Sequence, residues 1–473
     1  MATSACTSCT ARSRRHAALL GLTLAVASCG SSATPQVETR AAPAVTVTTL
    51  SGPSPYTRCD RGDRSVQHDA EVEPHLAVSP TDPDRVIAAW QQDRRTTGGA
   101  VGIAVATSTD GGATWRAEGL PGGAPCGAQG LTGASDPWVA IGPEGTAYLA
   151  DLRFAARRGR RPTRAAVAVH RAPAPLRGLA DAWLPPAALT PGQTFDDKPS
   201  ITADPRRPGV AYAVWHRGQR TLLERTDDAG ASWSAPQRVS SLPDSVGHIV
   251  YVLPDGRLLM TAAAVGRRLT FVATTSDDDG RMWSRAVVFG VPGRIAGRRQ
   301  QPRVRIGIFP GVAVLPDGGV VAVWPHAHNG RSVIERATSR DGGRTWSRPR
   351  AVLTRRGDVL TPALAAAPDG SLGLSWTETT PGRTRDAYVA FASSRDGGRT
   401  WRTRRLTGTF DLRRAPRAGH ARFLGDYTGL VAVPGGFGVL VAVAPPTVRR
   451  GRSDVIFVRV RVPAAKTHVR KAT

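Results

Sequence analysis

The stretch SRDGGRTW at residues 339–346 decides the fold, because it is one of five copies of a single eight-residue pattern. The pattern is Ser/Thr-x-Asp-x-Gly-x-Thr-Trp, and each copy is called a box below. The Asp carboxylate can accept backbone N–H groups across a tight turn, the Gly permits a positive φ, and the Trp returns to an apolar layer. Each box is therefore predicted to hold a hairpin turn, with a structural Asp. The five boxes begin at Ser108, Thr226, Ser276, Ser339 and Ser394. In the third box, Met282 stands in the place of Thr.

Each box belongs to a longer repeat. An alternating strand such as residues 74–79 comes first, and a second strand ending in Trp follows, as at residues 86–90. A third strand leads into the box and a short fourth strand follows it. Four antiparallel strands in about 50 residues are typical of a β-propeller blade, so the predicted fold is all-β. The count favours seven blades, or six if two units share one sheet, and the units begin near Glu73, Asp136, Asp197, Gly247, Gly307, Leu360 and Gly425.

Two units depart from this pattern. The unit between the first two boxes keeps only a remnant of a box at residues 181–186, around Trp183. The last unit, residues 425–462, shows three strands and no box. The alternating segment at residues 44–50 can supply its fourth strand and close the ring, which removes an open sheet edge.

Composition limits the classes of protein. The chain has 51 Gly and 37 Pro in 473 residues, too many for a helical bundle, and a hydrophobic content of 41% that can form a core. After the N-terminus no apolar run reaches the ~18 residues of a membrane helix. The net charge of +26 comes almost wholly from scattered arginines, since only Lys198, Lys466 and Lys471 are lysine. With no recognised nucleic-acid fold, we expect no nucleic-acid partner, and we expect a monomer.

The N-terminus is predicted to be an export signal. Arg12, Arg14 and Arg15 precede an apolar stretch at residues 17–27, which is too short to span a bilayer. The following Ser28-Cys29 resembles the lipobox of bacterial lipoproteins, and this implies a lipid on Cys29; the alternative is a plain secretory signal. The mature chain is then expected on the outer face of the cell membrane, with membrane contact through the lipid only. The predicted segments are 1–28 (lipoprotein signal peptide), 29–66 (tether and ring-closing strand), 67–463 (propeller) and 464–473 (basic tail).

The cysteines agree with export. Cys6 and Cys9 lie in the signal and Cys29 is the predicted lipid acceptor, which leaves Cys59 and Cys126. An even pair in an oxidising compartment predicts a disulfide.

The boxes resemble the Asp-box (BNR) repeats of bacterial sialidases. The strings at residues 136–138, 195–200 and 425–427 are similar to sialidase-like lipoproteins of actinobacteria. The resemblance implies a propeller. Because propellers with such boxes also occur in non-catalytic proteins, both catalytic and binding functions stay open.

The resemblance to sialidases implies a tyrosine nucleophile paired with a glutamate, an aspartate acid/base and three arginines around the substrate carboxylate. Tyr427 matches the nucleophile and Arg94 the second arginine. The first arginine is absent from residues 72–76, where Glu73 stands, and no acid follows Arg94 at residues 95–99. These departures favour binding over hydrolysis. The glutamate partner of the tyrosine is left open among Glu224, Glu335 and Glu378.

The residues that precede the first strands should gather at one mouth of the central channel. Many are acidic, so we expect an acidic axial site for a glycan, a cationic ligand or a hard cation, with Ca²⁺ held by Asp136, Asp196 and Asp197. Trp138 and Tyr427 can add stacking faces. The alternative is that these acids only cap strands and bond loop amides. The candidate ligand-binding residues are Glu73, Asp136, Trp138, Asp196, Asp197, Lys198, His248 and Asp426.

Three functions follow as hypotheses. The first is a surface-anchored propeller that binds glycans or other envelope ligands. The second is a sialidase-type glycoside hydrolase with Tyr427 as nucleophile and Arg94 in its substrate site. The third is a non-catalytic scaffold for protein partners.

Overall fold

The structure is a computed structural model that describes residues 44–60, 62–126, 130–155, 161–174, 182–293, 303–307, 309–328, 331–447 and 449–462. In these ranges the chain is all-β apart from a 3₁₀ turn at Leu412–Arg414, so the predicted fold class is confirmed. No helix in the described ranges is long and apolar enough to cross a membrane. The predicted signal peptide, the lipid acceptor Cys29 and the basic tail from residue 464 lie outside the described residues.

The first strand, β1 (Val45–Thr49), precedes two four-stranded units. A single antiparallel bridge between Ala100 and Ala134 joins these two units into one sheet. Unit 1 contains β2 (Val72–Val78), β3 (Val86–Arg94), β4 (Ala100–Ser108) and β5 (Arg116–Gly119). Unit 2 contains β6 (Gly133–Ile141), β7 (Ala147–Phe154), β8 (Ala165–Ala172) and β9 (Ala187–Ala188).

The next three units are separate four-stranded antiparallel sheets. Unit 3 contains β10 (Asp196–Ala203), β11 (Ala211–Arg217), β12 (Arg220–Thr226) and β13 (Gln237–Arg238). Unit 4 contains β14 (Ser245–Val252), β15 (Leu258–Ala264), β16 (Thr270–Ser276) and β17 (Val287–Gly290). Unit 5 contains β18 (Gly311–Val314), β19 (Val320–His328), β20 (Arg331–Ser339) and β21 (Arg350–Arg355).

The last two units complete the described strands. Unit 6 contains β22 (Val359–Ala366), β23 (Leu372–Thr380), β24 (Arg383–Ser394), β25 (Arg402–Arg405) and the added strand β26 (Phe410–Asp411). A short hairpin of β27 (Arg417–Ala418) and β28 (Ala421–Arg422) leads to unit 7. Unit 7 contains β29 (Gly429–Val433), β30 (Gly436–Val443), β31 (Asp454–Arg461) and β1.

Strand β1 takes the fourth place in unit 7, the place that the sequence assigned to residues 44–50. It pairs antiparallel with β31, with Val45 opposite Val460 and Thr49 opposite Ile456. The first strand of unit 7 in turn packs against β2 of unit 1. N-terminal and C-terminal strands thus share one sheet, and the described units are consistent with the seven blades predicted.

First strands of neighbouring units pack side by side around a central axis, as β2, β6, β10 and β14 do in succession. The hydrophobic core lies between the sheets. Its largest members are the tryptophans that the sequence placed at the ends of second strands, and each is at most 2% exposed. They are Trp90, Trp215, Trp324 and Trp376.

All five boxes join the third and fourth strands of a unit. In the first box, Asp110 accepts from the backbone N–H of Thr114 over 2.8 Å and from the hydroxyl of Ser108 over 2.7 Å. Trp115 Nε1 donates to the carbonyl of Gly112 over 3.1 Å. The Asp is thus occupied in holding the turn.

The boxes and the candidate site lie at opposite ends of the sheets. Ser108, which opens the first box, is in register with Val86, and Val86 with Val78 at the end of β2. Val72 at the start of β2 is in register with Gln91. The end where first strands begin is called the site face below, and the other end the box face.

Candidate functional site

A β-bulge near the start of the first strand recurs in five units. The register in which the first strand pairs with the second changes between Val72 and His75 of β2. The same change occurs at the equivalent places of β6, β10, β14 and β22. Bulges of this kind re-aim side chains. A residue with positive φ occupies each one: Glu73 (53°), Asp136 (53°), Lys198 (53°), Gly247 (68°) and Thr361 (49°).

Proline follows four of these five residues, as in Glu73-Pro74 and Lys198-Pro199. Proline cannot donate to the ladder, so it suits a bulge. A positive φ at a residue other than Gly costs about 1 kcal/mol or more, and such strain is concentrated at functional sites. The bulges here bring three charged side chains of units 1, 2 and 3 together near the axis.

The ammonium of Lys198 lies at the centre of three carboxylates. Its Nζ is 2.6 Å from Oδ1 of Asp136, 2.8 Å from Oδ2 of Asp426 and 3.2 Å from Oε1 of Glu73. The Lys198 side chain is 14% exposed, and the carboxylate side chains are at most 8% exposed. The positive charge of Lys198 therefore offsets part of the negative charge of the acidic site that the sequence predicted at this mouth.

Two arginines extend this network. Arg305 pairs with Asp426 through Nε at 3.1 Å and through Nη2. The guanidinium carbons of Arg94 and Arg305 each lie 4.7 Å from the ring centroid of Phe423. This geometry is that of cation–π contacts on a buried ring.

Arg94 is 2% exposed and only partly satisfied. Its Nη1 donates to Oε1 of Gln91 over 2.7 Å, and Gln91 Nε2 donates to Glu73. Its Nε has no hydrogen-bond partner among the described residues. A buried donor of this kind is costly unless water or a ligand satisfies it.

Burial and charge set the protonation states. Burial, reinforced by Asp136, raises the pKa of Glu73 to about 7. Burial opposes the charge of Lys198, but Asp136 and Asp426 outweigh it and hold its pKa well above the usual value. Burial also opposes ionisation of Asp426, yet Lys198 and Arg305 keep its pKa low. The network thus favours ionised Asp136 and Asp426 and a charged Lys198, whereas Glu73 keeps its proton to a higher pH than an ordinary glutamate.

A cavity of about 380 Å³ opens beside this network on the site face and is called the site cavity. Glu73, Lys198, Arg94 and Arg305 lie on its inner wall. Its other walls include the loop at residues 96–99 and the side chains of Asp197, Arg161 and Phe195. Phe195 is 43% exposed, so an apolar ring faces the cavity from its rim.

Tyr427 and Trp138 lie on the other side of the network. Their ring centroids are 5.2 Å apart, and His75 stacks on Trp138 with centroids 3.7 Å apart. All three rings line the axial channel, a largely apolar space of about 470 Å³ bounded by first strands. The two predicted stacking faces therefore contact each other next to the channel, and they are not among the residues that line the site cavity.

The Tyr427 hydroxyl, predicted as a nucleophile, is engaged in a buried hydrogen bond. It donates to the carbonyl oxygen of Pro137 over 2.9 Å. Burial, with Glu73 and Asp136, raises its pKa well above the usual value. Two of the candidate glutamate partners bond elsewhere, since Glu335 accepts from Trp324 and Glu378 from Trp376, each over 3.0 Å.

Two candidate residues stand apart from the network. Asp196 pairs with Arg217, with Nε 2.6 Å from Oδ1. His248 is fully buried, and its Nε2 lies 2.8 Å from the Thr221 hydroxyl and 2.9 Å from that of Ser245. Both form local contacts within units 3 and 4.

The residues do not fit a bound cation. In the described part of the chain, no three His, Cys, Asp or Glu side chains are arranged to hold a metal ion. Asp136 contacts the Lys198 ammonium and Asp196 contacts Arg217, so two of the three proposed Ca²⁺ ligands already face positive charges. The expectation of Ca²⁺ stays a prediction without a supporting ligand set.

Cys59 and Cys126 form a disulfide, with Cα atoms 4.6 Å apart. It links the segment before β2 to the segment after β5. This is the pair that the count of cysteines predicts.

The sequence did not single out Arg305, Phe423, Gln91 or Arg161. Arg305 ends a run of arginines in which no member stands out, and Phe423 lies in a loop without a repeat. One usable signal was present. The repeated pair of a bulge residue followed by Pro, as at Asp136-Pro137 and Thr361-Pro362, marks which side chains turn inward.

Comparison with known protein families and with curated proteins gave no match to this sequence. Solved structures do resemble the fold. A protein of unknown function from Dyadobacter fermentans is 15% identical, with a TM-score of 0.51, over 89% of this chain and 100% of its own. This likeness shows the fold alone.

Sialidases are also among the similar structures. The Hadza microbial sialidase Hz136 is 18% identical, with a TM-score of 0.44, over 83% of this chain and 65% of its own. The Trypanosoma rangeli sialidase, solved with the inhibitor DANA, is 12% identical, with a TM-score of 0.45, over 72% of this chain and 58% of its own. The match spans less than two thirds of the length of either sialidase.

Proposed function

We propose that this protein is an exported, lipid-anchored propeller that binds a glycan or another envelope ligand carrying an anionic group in the site cavity. The observation that carries the proposal is the buried guanidinium of Arg94, which lines the cavity and forms no ion pair with a carboxylate among the described residues. An anionic oxygen can satisfy such a donor with a charge-assisted hydrogen bond.

The balance of charge around the cavity favours an anion. Asp136 and Asp426 are paired with Lys198 and Arg305. Arg94 has no ion pair within 4 Å in the described chain, and the exposed Arg161 has none either. Two guanidinium groups that have no carboxylate partner in the described ranges therefore line the cavity.

The size and shape of the cavity suit a small ligand. Its volume of about 380 Å³ lies near the lower end of the ~300–1,000 Å³ range of ligand pockets. The exposed ring of Phe195 offers an apolar face for a sugar ring. Binding without chemistry is favoured because the Tyr427 hydroxyl bonds to Pro137 and borders the channel.

A glycoside hydrolase is the second candidate, and one observation favours it. Glu73 has a pKa raised to about 7, whereas that of its neighbour Asp136 is held low by Lys198 against the effect of burial. Carboxyl groups with separated pKa values serve glycosidases as acid and nucleophile or base. In this case the catalytic pair would be Glu73 and Asp136 rather than a tyrosine.

Titration of the purified mature protein with acidic monosaccharides, N-acetylneuraminic acid and glucuronic acid, tests the binding proposal by calorimetry. We expect binding that Arg94→Gln weakens at least tenfold. Arg348→Gln is the matched control, because Arg348 is exposed and follows a box on the opposite face. Absence of binding to both sugars, or equal affinity in Arg94→Gln, would contradict the proposal.

Hydrolysis of a fluorogenic sialoside separates the candidates. No turnover is expected from the wild-type protein. Turnover that disappears in Tyr427→Phe would make the protein a sialidase-type hydrolase. Turnover that persists in Tyr427→Phe and disappears in Glu73→Gln would favour the carboxylate pair.

Export and anchoring are part of the same proposal, and they rest on the N-terminal signal and Cys29. Strand β1 begins at Val45, opposite Val460 near the end of β31, and this end belongs to the box face. An anchor on the preceding segment would then join the propeller at the face opposite the cavity. Cys29→Ser should move the protein from membranes to the soluble fraction, whereas Cys9→Ser should not; equal partitioning would refute the anchor.

A further inference from the structure

A second cavity on the site face is lined almost entirely by basic residues. It is an open depression with a volume of about 500 Å³ and is called the arginine pocket. Gln67 and His68 form one wall. Five arginines from two separate segments form the others: Arg417, Arg422, Arg449, Arg450 and Arg452.

The pocket is distinct from the site cavity. The β27–β28 hairpin separates them: Ala418 and Gly419 line the site cavity, whereas Arg417 and Arg422 line the arginine pocket. None of the residues that line one space is among those that line the other. A ligand in the arginine pocket would therefore contact a different set of residues from a ligand in the site cavity.

Little of the positive charge in the pocket is compensated. In the described residues only Arg452 of the five forms an ion pair, with Nη1 2.8 Å from Oδ2 of Asp69. Arg422 Nη1 donates to the carbonyl of Ala415 over 2.9 Å, which satisfies a donor without balancing a charge. Burial, together with the nearby Arg450 and Arg417, lowers the pKa of Arg422. The folded chain thus holds like charges close together.

Backbone contacts fix the segments that carry these arginines. The amide side chain of Gln67 donates to the carbonyl of Arg417 over 2.9 Å and accepts from its N–H over 2.8 Å. In the β30–β31 loop, the N–H of Gly451 donates to the carbonyl of Arg414 over 2.7 Å, and that of Arg452 to Arg449 over 3.1 Å. Gly451 has a φ of 89°, which other residues adopt only with strain. The cluster is therefore positioned by the fold.

We propose that the arginine pocket is a binding site for a ligand that carries two or more phosphoryl groups. Guanidinium groups offer forked pairs of N–H donors that match the oxygens of a phosphoryl group, and each such bond is charge-assisted. Several guanidinium groups around one space of this size match a compact multivalent anion better than a single carboxylate. Binding also relieves the repulsion among Arg417, Arg422 and Arg450.

Calorimetric titration of the whole mature protein with sodium tripolyphosphate tests this site, with sulfate as a simpler oxyanion. We expect binding of tripolyphosphate, weaker binding of sulfate, and at least a tenfold loss of tripolyphosphate affinity in Arg449→Gln/Arg450→Gln. The matched control is Arg402→Gln/Arg404→Gln, which removes the same charge from exposed positions on β25. Arg417→Gln is a second test if the Arg449→Gln/Arg450→Gln variant folds poorly. Gln67 bonds to the backbone of residue 417, so this substitution removes the guanidinium group and keeps those hydrogen bonds.

Vesicles distinguish a free phosphoryl ligand from a lipid headgroup. The same proteins are sedimented with phosphatidylcholine vesicles, with and without phosphatidylglycerol. Association that needs both phosphatidylglycerol and the loop arginines, without binding of tripolyphosphate, would overturn a ligand with two or more phosphoryl groups, because this lipid headgroup carries a single phosphate. An equal loss of tripolyphosphate affinity in the two double variants would show a general effect of charge and overturn the proposal. The proposal would also be overturned if the protein bound neither tripolyphosphate nor the vesicles. Arg94→Gln should leave tripolyphosphate binding unchanged.

Discussion

The hydroxyl of Tyr427 donates a hydrogen bond to the carbonyl oxygen of Pro137 over 2.9 Å, and this bond links units 7 and 2 beside the axial channel. The bond is buried and lies between non-neighbouring units. It gives the tyrosine a structural role at a position where a nucleophile was one of the expectations.

Replacement of this tyrosine should affect stability more than binding. Tyr427→Phe keeps the ring against Trp138 but leaves the Pro137 carbonyl unpaired, so the free energy of unfolding should fall by about 1–2 kcal/mol. Urea denaturation measures this, and calorimetry should show unchanged affinity for ligands of the site cavity. Unchanged stability together with lost activity would point instead to a catalytic tyrosine.

Loss of the Lys198 ammonium should be severe. Lys198→Met leaves Glu73, Asp136 and Asp426 together without their shared cation, and breaking a buried ion network costs about 3–5 kcal/mol. The cost should be smaller at pH 5 than at pH 8, because the uncompensated carboxylates gain protons as pH falls. Denaturation at both pH values measures the difference.

The control for that prediction is a pair of exposed charges. Arg344→Met removes an ion pair with Asp277 in which both side chains are at least half exposed, and should cost less than about 1 kcal/mol at either pH. Similar losses in Lys198→Met and Arg344→Met would show that the buried network does not stabilise the fold.

Glu73 should make stability fall as pH rises. Its pKa is about 7 in the folded chain, against an ordinary value of 4.5. At a pH below the ordinary pKa, Glu73 is protonated in both the folded and the unfolded chain. At a pH between the ordinary and the raised pKa, Glu73 loses its proton in the unfolded chain and retains it in the folded chain, so unfolding becomes easier as pH rises. Glu73→Gln should therefore show a shallower decline of unfolding free energy from pH 4.5 to pH 7.

Denaturation midpoints across this pH range measure the effect. Glu224, whose pKa burial also raises to about 7, should preserve part of the decline in the variant. Asp277→Asn, at an exposed carboxylate, should reproduce the wild-type profile. A Glu73→Gln profile identical to that of the wild type would contradict the raised pKa.

The third box lacks one hydrogen bond that its equivalents make. Met282 keeps the backbone bond to Asp278 at 2.8 Å, and its side chain is 73% exposed. In the fourth box Thr345 adds a hydroxyl bond to Asp341 at 2.5 Å. Met282→Thr should restore that bond and raise the unfolding free energy by about 0.5–1 kcal/mol.

Met282→Val is the matched control, because valine has the shape of threonine without the hydroxyl. Thermal and urea denaturation of both variants should show the gain for threonine only. Equal effects would mean that branching at Cβ, rather than the hydrogen bond, stabilises the turn.

Local patterns account for the part of the fold that the sequence predicted. A box encodes its own turn through contacts between residues four apart, as between Asp110 and Thr114. Strand alternation and the tryptophans at the ends of second strands, such as Trp90, report burial directly. These signals repeat, so they also indicate the ring and the strand at residues 44–50 that closes it.

The candidate site was predicted only in part. Equivalence of first strands placed Glu73, Asp136 and Asp426 at one mouth, and in the structure these three carboxylates meet around Lys198. The sequence could not show that Lys198 lies between the carboxylates. It also gave no sign that Trp138 packs against Tyr427 beside the channel.

By itself, the sequence determined the all-β repeat, its structural boxes and the cysteine pair, because each depends on neighbours along the chain or on simple counting. Only the tertiary structure decided the chemistry of the site. Lys198 and Asp426 are 228 positions apart, and their contact depends on bulges and on ring closure that no local pattern encodes. Charge at a propeller mouth is a sum over distant units, and its sign is fixed only when those units are assembled.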